Sequence, residues 1–244
     1  VICGEESVNK FIFDIDGTLT PSRGEIDSEF AVFFSNFCAE NDVYLVTGSD
    51  KPKTIEQIGE EIYSLAQRVY NCSGSDVWEG ETHIRSSDWT LPDRCRHWLI
   101  DKLEESKFVL RTGQHIEERS GMVNFSIVGR GATLGERKLY VEWDNKTNER
   151  NHIAELFNKE FPDLDARPGG ETGIDISMKG NDKSQILADF DYADILHFFG
   201  DRMDIQGNDY PLKHAIINND LGFAYPVKDW QETHQKLKEI LDKT

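Results

Sequence analysis

Positions 11–16, Phe-Ile-Phe-Asp-Ile-Asp, followed by Gly17-Thr18, constrain this chain more than any other segment. The run is short and apolar and then abruptly acidic, so it reads as a buried strand whose carboxyl end carries two carboxylates, with a turn after it. Residues two apart in a strand project to one side. Asp14 and Asp16 can therefore face a common site, where an open α/β sheet holds its ligands. The residues that follow fit such a sheet. Phe30, Phe33, Phe34 and Phe37 recur at helical spacing behind Asp27-Ser28, which serves as a cap, and Val43-Tyr44-Leu45-Val46 reads as a second strand. Ile55, Ile58, Ile62 and Leu65 mark a second amphipathic helix over 54–66, and residues 68–71 a third strand. The alternation predicts a parallel sheet with helices on its faces.

From about residue 82 the pattern changes. Residues 92–103 read as a helix, residues 108–111, 116–119 and 122–127 as antiparallel strands, 149–161 as a helix and 173–177 as a strand. The parallel pattern resumes after residue 178, with a helix over 182–190, an apolar strand at 195–199 ending in Gly200-Asp201, and a C-terminal amphipathic helix carrying Trp230, Leu237, Ile240 and Leu241. The expected organisation is a core of residues 1–81 and 179–244 interrupted by an inserted α+β module, 82–178.

Charge separates the two parts. The chain carries a formal charge of −18, but residues 111–150 contain seven basic side chains against six acidic ones, a net +1 beside −19 for the remainder. A relatively positive module facing a carboxylate-rich core suits a small anionic substrate, whereas the acidic whole disfavours nucleic acid. Without a long apolar run or a signal-like start, the expectation is a soluble cytoplasmic protein without a membrane partner. Four scattered cysteines without a C-x-x-C pair fit reduced buried thiols. Neither G-x-G-x-x-G nor a Walker loop occurs, which disfavours nicotinamide and P-loop chemistry.

Of the two carboxylates at 14 and 16, one can attack a phosphoryl group and the other can handle a proton, and a carboxylate nucleophile divides one hard transfer into two easier ones. Acids approaching a phosphate need a divalent cation, and oxygen ligands favour Mg²⁺. Asp201 supplies a third carboxylate and is the expected metal ligand. Thr47 and Ser49 offer rival hydroxyls for phosphate oxygens, and Lys183 a point charge.

The order Asp14-Ile-Asp-Gly-Thr, Thr47-Gly-Ser-Asp, Lys183 and Gly200-Asp201 resembles the haloacid dehalogenase-like phosphotransferases. Within them, Phe13-Asp-Ile-Asp-Gly-Thr-Leu-Thr-Pro-Ser-Arg23, Glu118-Arg-Ser-Gly-Met-Val-Asn124, Ile127-Val-Gly-Arg130, Glu136-Arg137, Pro168-Gly-Gly-Glu-Thr-Gly-Ile-Asp175 and His197-Phe-Phe-Gly-Asp201 resemble the eukaryotic-type phosphomannomutase family. That resemblance implies a Rossmann-like α/β parallel-sheet core with an inserted cap. It implies Asp14 as nucleophile, Asp16 as general acid/base, and Mg²⁺ held by Asp14, the main-chain carbonyl of Asp16, and Asp201. It also implies that Arg23, Arg119, Arg130, Arg137 and Asp175 bind the sugar phosphate. The implied reaction interconverts mannose 6-phosphate and mannose 1-phosphate through a hexose 1,6-bisphosphate, which also serves as activator, for GDP-mannose synthesis. A homodimer through the cap is implied as well. The alternatives are a Mg²⁺-dependent sugar-phosphate phosphatase of the same fold and a silent binding protein, against which the intact acids and Lys183 argue. One departure concerns the substrate wall: the family pattern has a serine two residues before the aspartate at 175, and this chain has Gly173. The missing hydrogen bond is then lost, or comes from Thr172 or water.

Overall fold

The computed structural model describes residues 7–22 and 24–242. Its apolar run ahead of Asp14 forms β1 (Asn9–Phe13), with the last three residues buried. β1 pairs in parallel with β2 (Asp42–Val46) on one side and with β10 (Ile195–Gly200) on the other. The larger sheet continues through β3 (Arg68–Asn71), β4 (Asp76–Glu79) and β5 (Thr82–Ser86) at one end and β11 (Gly222–Pro226) at the other, in the order β11-β10-β1-β2-β3-β4-β5. Its first five members are parallel, and β4 and β5 are antiparallel. The chain leaves β1 through α1 (Ser28–Glu40) toward β2, while β10 returns on the opposite side. This reversal opens a crevice at the carboxyl ends of β1 and β10.

Strand alternation decides which side each apolar residue serves. Phe11 and Phe13 pack with Phe30, Phe34 and Phe37 of α1, with Ile58 and Ile62 of α2 (Lys51–Leu65) and with Leu237 of α7 (Trp230–Leu241). Ile12 points the other way, into a cluster with Phe198 and with Leu212 and Ile216 of α6 (Tyr210–Asn218). The Asp27 carboxylate caps α1 by accepting from the main-chain N–H groups of Glu29 and Phe30 at 3.0 and 3.1 Å. That fixes where the phenylalanine stripe starts, and Phe34 meets the Phe13 ring edge-on at 5.0 Å. Each phenylalanine so buried contributes about 2–3 kcal/mol from burial.

The second sheet is antiparallel throughout, in the order β6 (Ile116–Arg119), β7 (Met122–Phe125), β9 (Gly173–Met178), β8 (Leu164–Gly169). Helices α3 (Asp93–Glu105), α4 (Leu134–Thr147) and α5 (Glu149–Glu160) accompany it around a core that includes Leu99, Phe125, Tyr140, Phe157, Ile174 and Ile176.

Several local features differ from the sequence expectation. Residues 108–111 form no strand, because the Arg111 guanidinium donates to the carbonyls of Leu103, Ser106, Phe108 and Leu110 and takes acceptors that a ladder would use. The segment 182–190 is a 3₁₀ stretch, Lys183–Asp189, rather than an α-helix. α4 carries little apolar patterning, with Leu134 and Leu139 exposed, and its sequence signal is a capping box: Thr133 Oγ1 accepts from Glu136 N while the Glu136 carboxylate accepts from Thr133 N. Residues 82–86, expected at the start of the inserted module, are hydrogen-bonded to β4 at the edge of the larger sheet. Cys38, Cys72 and Cys95 are buried free thiols, and Cys3 lies outside the described residues. Among the described residues no helix is long and apolar enough to cross a membrane.

Candidate active site

Asp14 follows β1 directly and continues its pairing, donating its main-chain N–H to Phe199 O at 2.9 Å. The turn that follows needs Gly17. Its φ is +81°, and a Cβ there would lie 2.5 Å from Asp201 Oδ2, so the residue supplies both the left-handed backbone and the room for a carboxylate from β10's end. Gly200 leaves room in the same way for Asp209, whose Oδ2 would be 2.6 Å from a Cβ at 200, though its backbone is not left-handed.

Three carboxylates meet here. Among the described residues, Asp14, Asp201 and Asp209 each offer an oxygen within 4.8 Å of the others. Lys183 runs between two of them, with Nζ 2.5 Å from Asp14 Oδ1 and 2.6 Å from Asp209 Oδ1, and its side chain is out of contact with solvent. Burial raises the Asp14 carboxyl well above the ordinary carboxylate range, and repulsion from Asp209 and Asp201 adds to the rise while Lys183 opposes it. Burial and then the Asp209 charge push Asp201 up to about 7. For Lys183 burial works against the ammonium, but the Asp14 and Asp209 charges outweigh it and raise the group above its usual value. One cation stands against three acids, and the donors are all oxygen. That set fits a hard divalent cation. Both oxygens of Asp209 already accept hydrogen bonds, from Lys183 and from Arg202 N at 3.0 Å.

Asp16 lies beside this cluster, and the buried Gln57 donates from Nε2 to its Oδ1 at 2.9 Å, which fixes the carboxylate's orientation. Thr47 is buried at the end of β2 and its Oγ1 accepts from Ser49 N at 3.1 Å, so its oxygen is engaged while its hydroxyl proton is not used in that bond. Both Thr47 and Ser49 line the same cavity of about 620 Å³ as Asp14, Asp16 and Asp201.

The opposite wall of that cavity comes from the smaller sheet and its helices. Arg119, Arg130 and Arg137 all line it. Arg119 donates to Glu117 at 3.2 Å and, across the cavity, to Gly48 O at 2.6 Å. Burial would depress its guanidinium, but the Asp175 and Glu117 charges hold it above its usual value. Arg130 pairs with Glu117, and Arg137, buried on α4, pairs with Glu171 at 3.1 Å. Asp175 on β9 lies opposite Asn124 of β7 and accepts from Asn124 Nδ2 at 2.7 Å. Burial raises its carboxyl, with Arg119 opposing. Arg23 lies outside the described residues.

Asp209, Asn124, Arg150 and Arg202 were absent from the residues singled out by sequence, yet the first belongs to the acidic cluster and the other three line the cavity. Asn208-Asp209 just before a helix beginning Tyr-Pro was the available signal for the first. Arg150, which opens α5 and pairs with Asp144 at 2.8 Å, lies in a stretch whose charge alone distinguishes it.

Known proteins resemble the chain at two levels. Residues 30–243 match a family model described as eukaryotic phosphomannomutase. Phosphomannomutase 1 of Mus musculus is 31% identical over 243 residues, spanning 94% of this chain and 90% of that protein. The human phosphomannomutase 1 matches to the same extent, and the Saccharomyces cerevisiae phosphomannomutase is 29% identical over 95% of this chain and 93% of its own length. Among solved structures, the Plasmodium falciparum IMP-nucleotidase superposes with a TM-score of 0.63 at 16% identity, over 96% of this chain and 70% of that one. A trehalose-6-phosphate phosphatase related protein gives 0.54 at 18% identity, over 96% and 100%. At these identities the structures share the fold alone, which bears out the expected α/β fold with a parallel-sheet core. By the extent of the sequence match, this chain belongs to the eukaryotic phosphomannomutase family.

Proposed function

We propose that the protein interconverts mannose 6-phosphate and mannose 1-phosphate through an aspartyl-phosphate and a hexose 1,6-bisphosphate, supplying GDP-mannose synthesis in the cytoplasm. One observation carries the reading: a single cavity is lined by Asp14, Asp16 and Asp201, with Lys183 buried against Asp14, and by Arg119, Arg130 and Arg137. A reactive carboxylate facing a separate anion site suits a sugar that carries phosphate at both ends.

Asp14 attacks phosphorus at one end of the bisphosphate, the bond from phosphorus to the sugar oxygen breaks, and Asp16 gives that oxygen its proton. In the complementary half, the free hydroxyl of an incoming monophosphate gives its proton to Asp16, its oxygen attacks the phosphorus on Asp14 and the bond from phosphorus to the Asp14 carboxylate breaks. The bisphosphate so formed turns end for end before Asp14 attacks again, so the phosphate given up is the one at the opposite end. Lys183 offsets charge on Asp14 and the phosphoryl group. Arg119, Arg130 and Arg137 take the remote phosphate in place of their present carboxylate partners, through charge-assisted forks. Asp175 accepts from sugar hydroxyls, and Thr47 or Ser49 donates to phosphoryl oxygens. Arg23 joins the phosphate site on the family resemblance. Asp14, Asp201 and the Asp16 carbonyl would hold Mg²⁺. When bound, the cation offsets repulsion between the phosphoryl oxygens and these acids. Trace hexose 1,6-bisphosphate phosphorylates Asp14 and so starts the cycle.

The exposed Leu134 and Leu139 of α4 support a homodimer through this module. Sedimentation giving a monomer mass would remove that part. The activity itself is tested by phosphorus NMR of the protein with Mg²⁺, mannose 1-phosphate and a trace of glucose 1,6-bisphosphate. Mannose 6-phosphate is the expected product, and free phosphate alone would replace the mutase reading with a phosphatase.

A further inference from the structure

Gly173 has an unusual neighbour. A Cβ built on it would lie 2.4 Å from Asn124 Nδ2, 3.0 Å from Asn124 Oδ1 and 3.1 Å from Asn124 Cγ. Its backbone is not in the left-handed region, so what the glycine supplies is space, and the Asn124 carboxamide fills it. That carboxamide is not loose. Asn124 is 5% exposed, its Nδ2 donates to Asp175 Oδ1 at 2.7 Å, and its Oδ1 accepts from Arg130 Nη1 at 3.3 Å. The Asp175 carboxylate is boxed in turn, since a Cβ at Gly169 would lie 2.0 Å from its Oδ2. Any side chain at 173 must therefore swing Asn124 off two charged partners.

A carboxamide has two donor hydrogens and two acceptor lone pairs. Asp175 and Arg130 use one of each, and Asn124 lines the cavity together with Gly173. We infer that Asn124, admitted by Gly173, is the sugar-contacting group at this wall and gives a hexose hydroxyl the donor and acceptor that a serine at 173 would otherwise offer. Asn124 and Gly173 thus form one specificity element, and this inference rests on the reading of the cavity as a hexose phosphate site.

The test is a double-mutant cycle on Gly173→Ala, which adds a Cβ without a hydroxyl, and Asn124→Ala, with mannose 1-phosphate turnover under Mg²⁺ and trace bisphosphate, and mannose 1-phosphate binding by calorimetry. Each single variant is expected to raise KM and Kd about three- to tenfold, the loss of one hydrogen bond to the sugar, with kcat little changed. In the Asn124→Ala background, Gly173→Ala should add no further loss, since the space is then free. If Gly173→Ala leaves KM at the wild-type value, or costs the same factor in both backgrounds, the inference falls while wild-type turnover keeps the reading of the site intact. A wild type that neither binds nor converts mannose 1-phosphate removes that reading, and the inference with it.

Discussion

Lys183 Nζ sits 2.5 Å from Asp14 Oδ1, and the two residues are 169 positions apart in sequence. The pair is buried, and Asp209 shares the ammonium from the other side at 2.6 Å. The ammonium therefore does two things: it keeps the proposed nucleophile from being a lone buried charge, and it leaves Asp14 Oδ2, which accepts from Thr18 Oγ1 at 3.3 Å, as the oxygen not held by lysine.

Asp14→Asn removes the attacking oxygen while keeping the shape. Mutase activity is expected to fall at least ~10³-fold, as when a covalent nucleophile is lost, and intact-mass measurement after incubation with glucose 1,6-bisphosphate should show no phosphoenzyme. Full activity would overturn the covalent mechanism.

Lys183→Met acts on stability. It leaves Asp14 and Asp209 facing each other without their cation, which for buried pairs costs about 3–5 kcal/mol. A urea unfolding midpoint equal to wild type would contradict the pairing described here.

Cation binding should depend on pH through Asp201. Its carboxyl is pushed up to about 7 by burial and the Asp209 charge, so a proton competes with the cation below that pH and not above it. In protein first stripped with chelator, added Mg²⁺ should raise the thermal midpoint more at pH 8 than at pH 6, following mass action. Asp201→Asn should flatten both responses. The sign for the stripped protein is opposite: a carboxyl raised in the folded state holds a proton that the unfolded chain has lost, so stability falls as pH rises from about 4 to about 7.

Arg137→Ala should separate binding from folding. The loss of charge-assisted hydrogen bonds to phosphate raises KM by about ten- to a hundredfold. Its present partner Glu171 has a side chain 47% exposed and is left in water, so the thermal midpoint should move by only a few degrees. An unchanged KM would remove Arg137 from the phosphate site.

Gly17→Ala tests the turn. An alanine must adopt φ +81° and bring Cβ to 2.5 Å from Asp201 Oδ2, at a cost of about 1–3 kcal/mol. Calorimetry finding wild-type stability, together with wild-type activity, would mean that Asp201 does not need this approach.

Much of the core was legible from local pattern. The β1 run, the phenylalanine stripe of α1 behind Asp27 and the apolar strand ahead of Asp201 are all set by residues within one or two turns of each other, where period and capping act. The failures have physical causes of another kind. Residues 108–111 have strand composition, but Arg111 takes the carbonyls of the preceding turn. α4 has few apolar positions to reveal it, and its burial falls on Arg137, Tyr140 and Asp144.

The same division holds at the site. Asp14, Asp16, Thr47 and Asp201 follow apolar strands, so their sequence neighbours announce them as residues at the carboxyl edge of a sheet. Asp209 and Asn124 carry no such mark. Asp209 joins the acids because Gly200 leaves room for its carboxylate and Lys183 reaches it from a separate segment, and Asn124 meets the cavity because Gly173, in the neighbouring strand, lacks a Cβ. Local pattern determined the strands and the acids at their ends, since periodicity and capping act over a few residues. Only the tertiary structure decided which charges share a buried space and which glycine admits which side chain, because those contacts depend on distance in space between segments far apart in the chain.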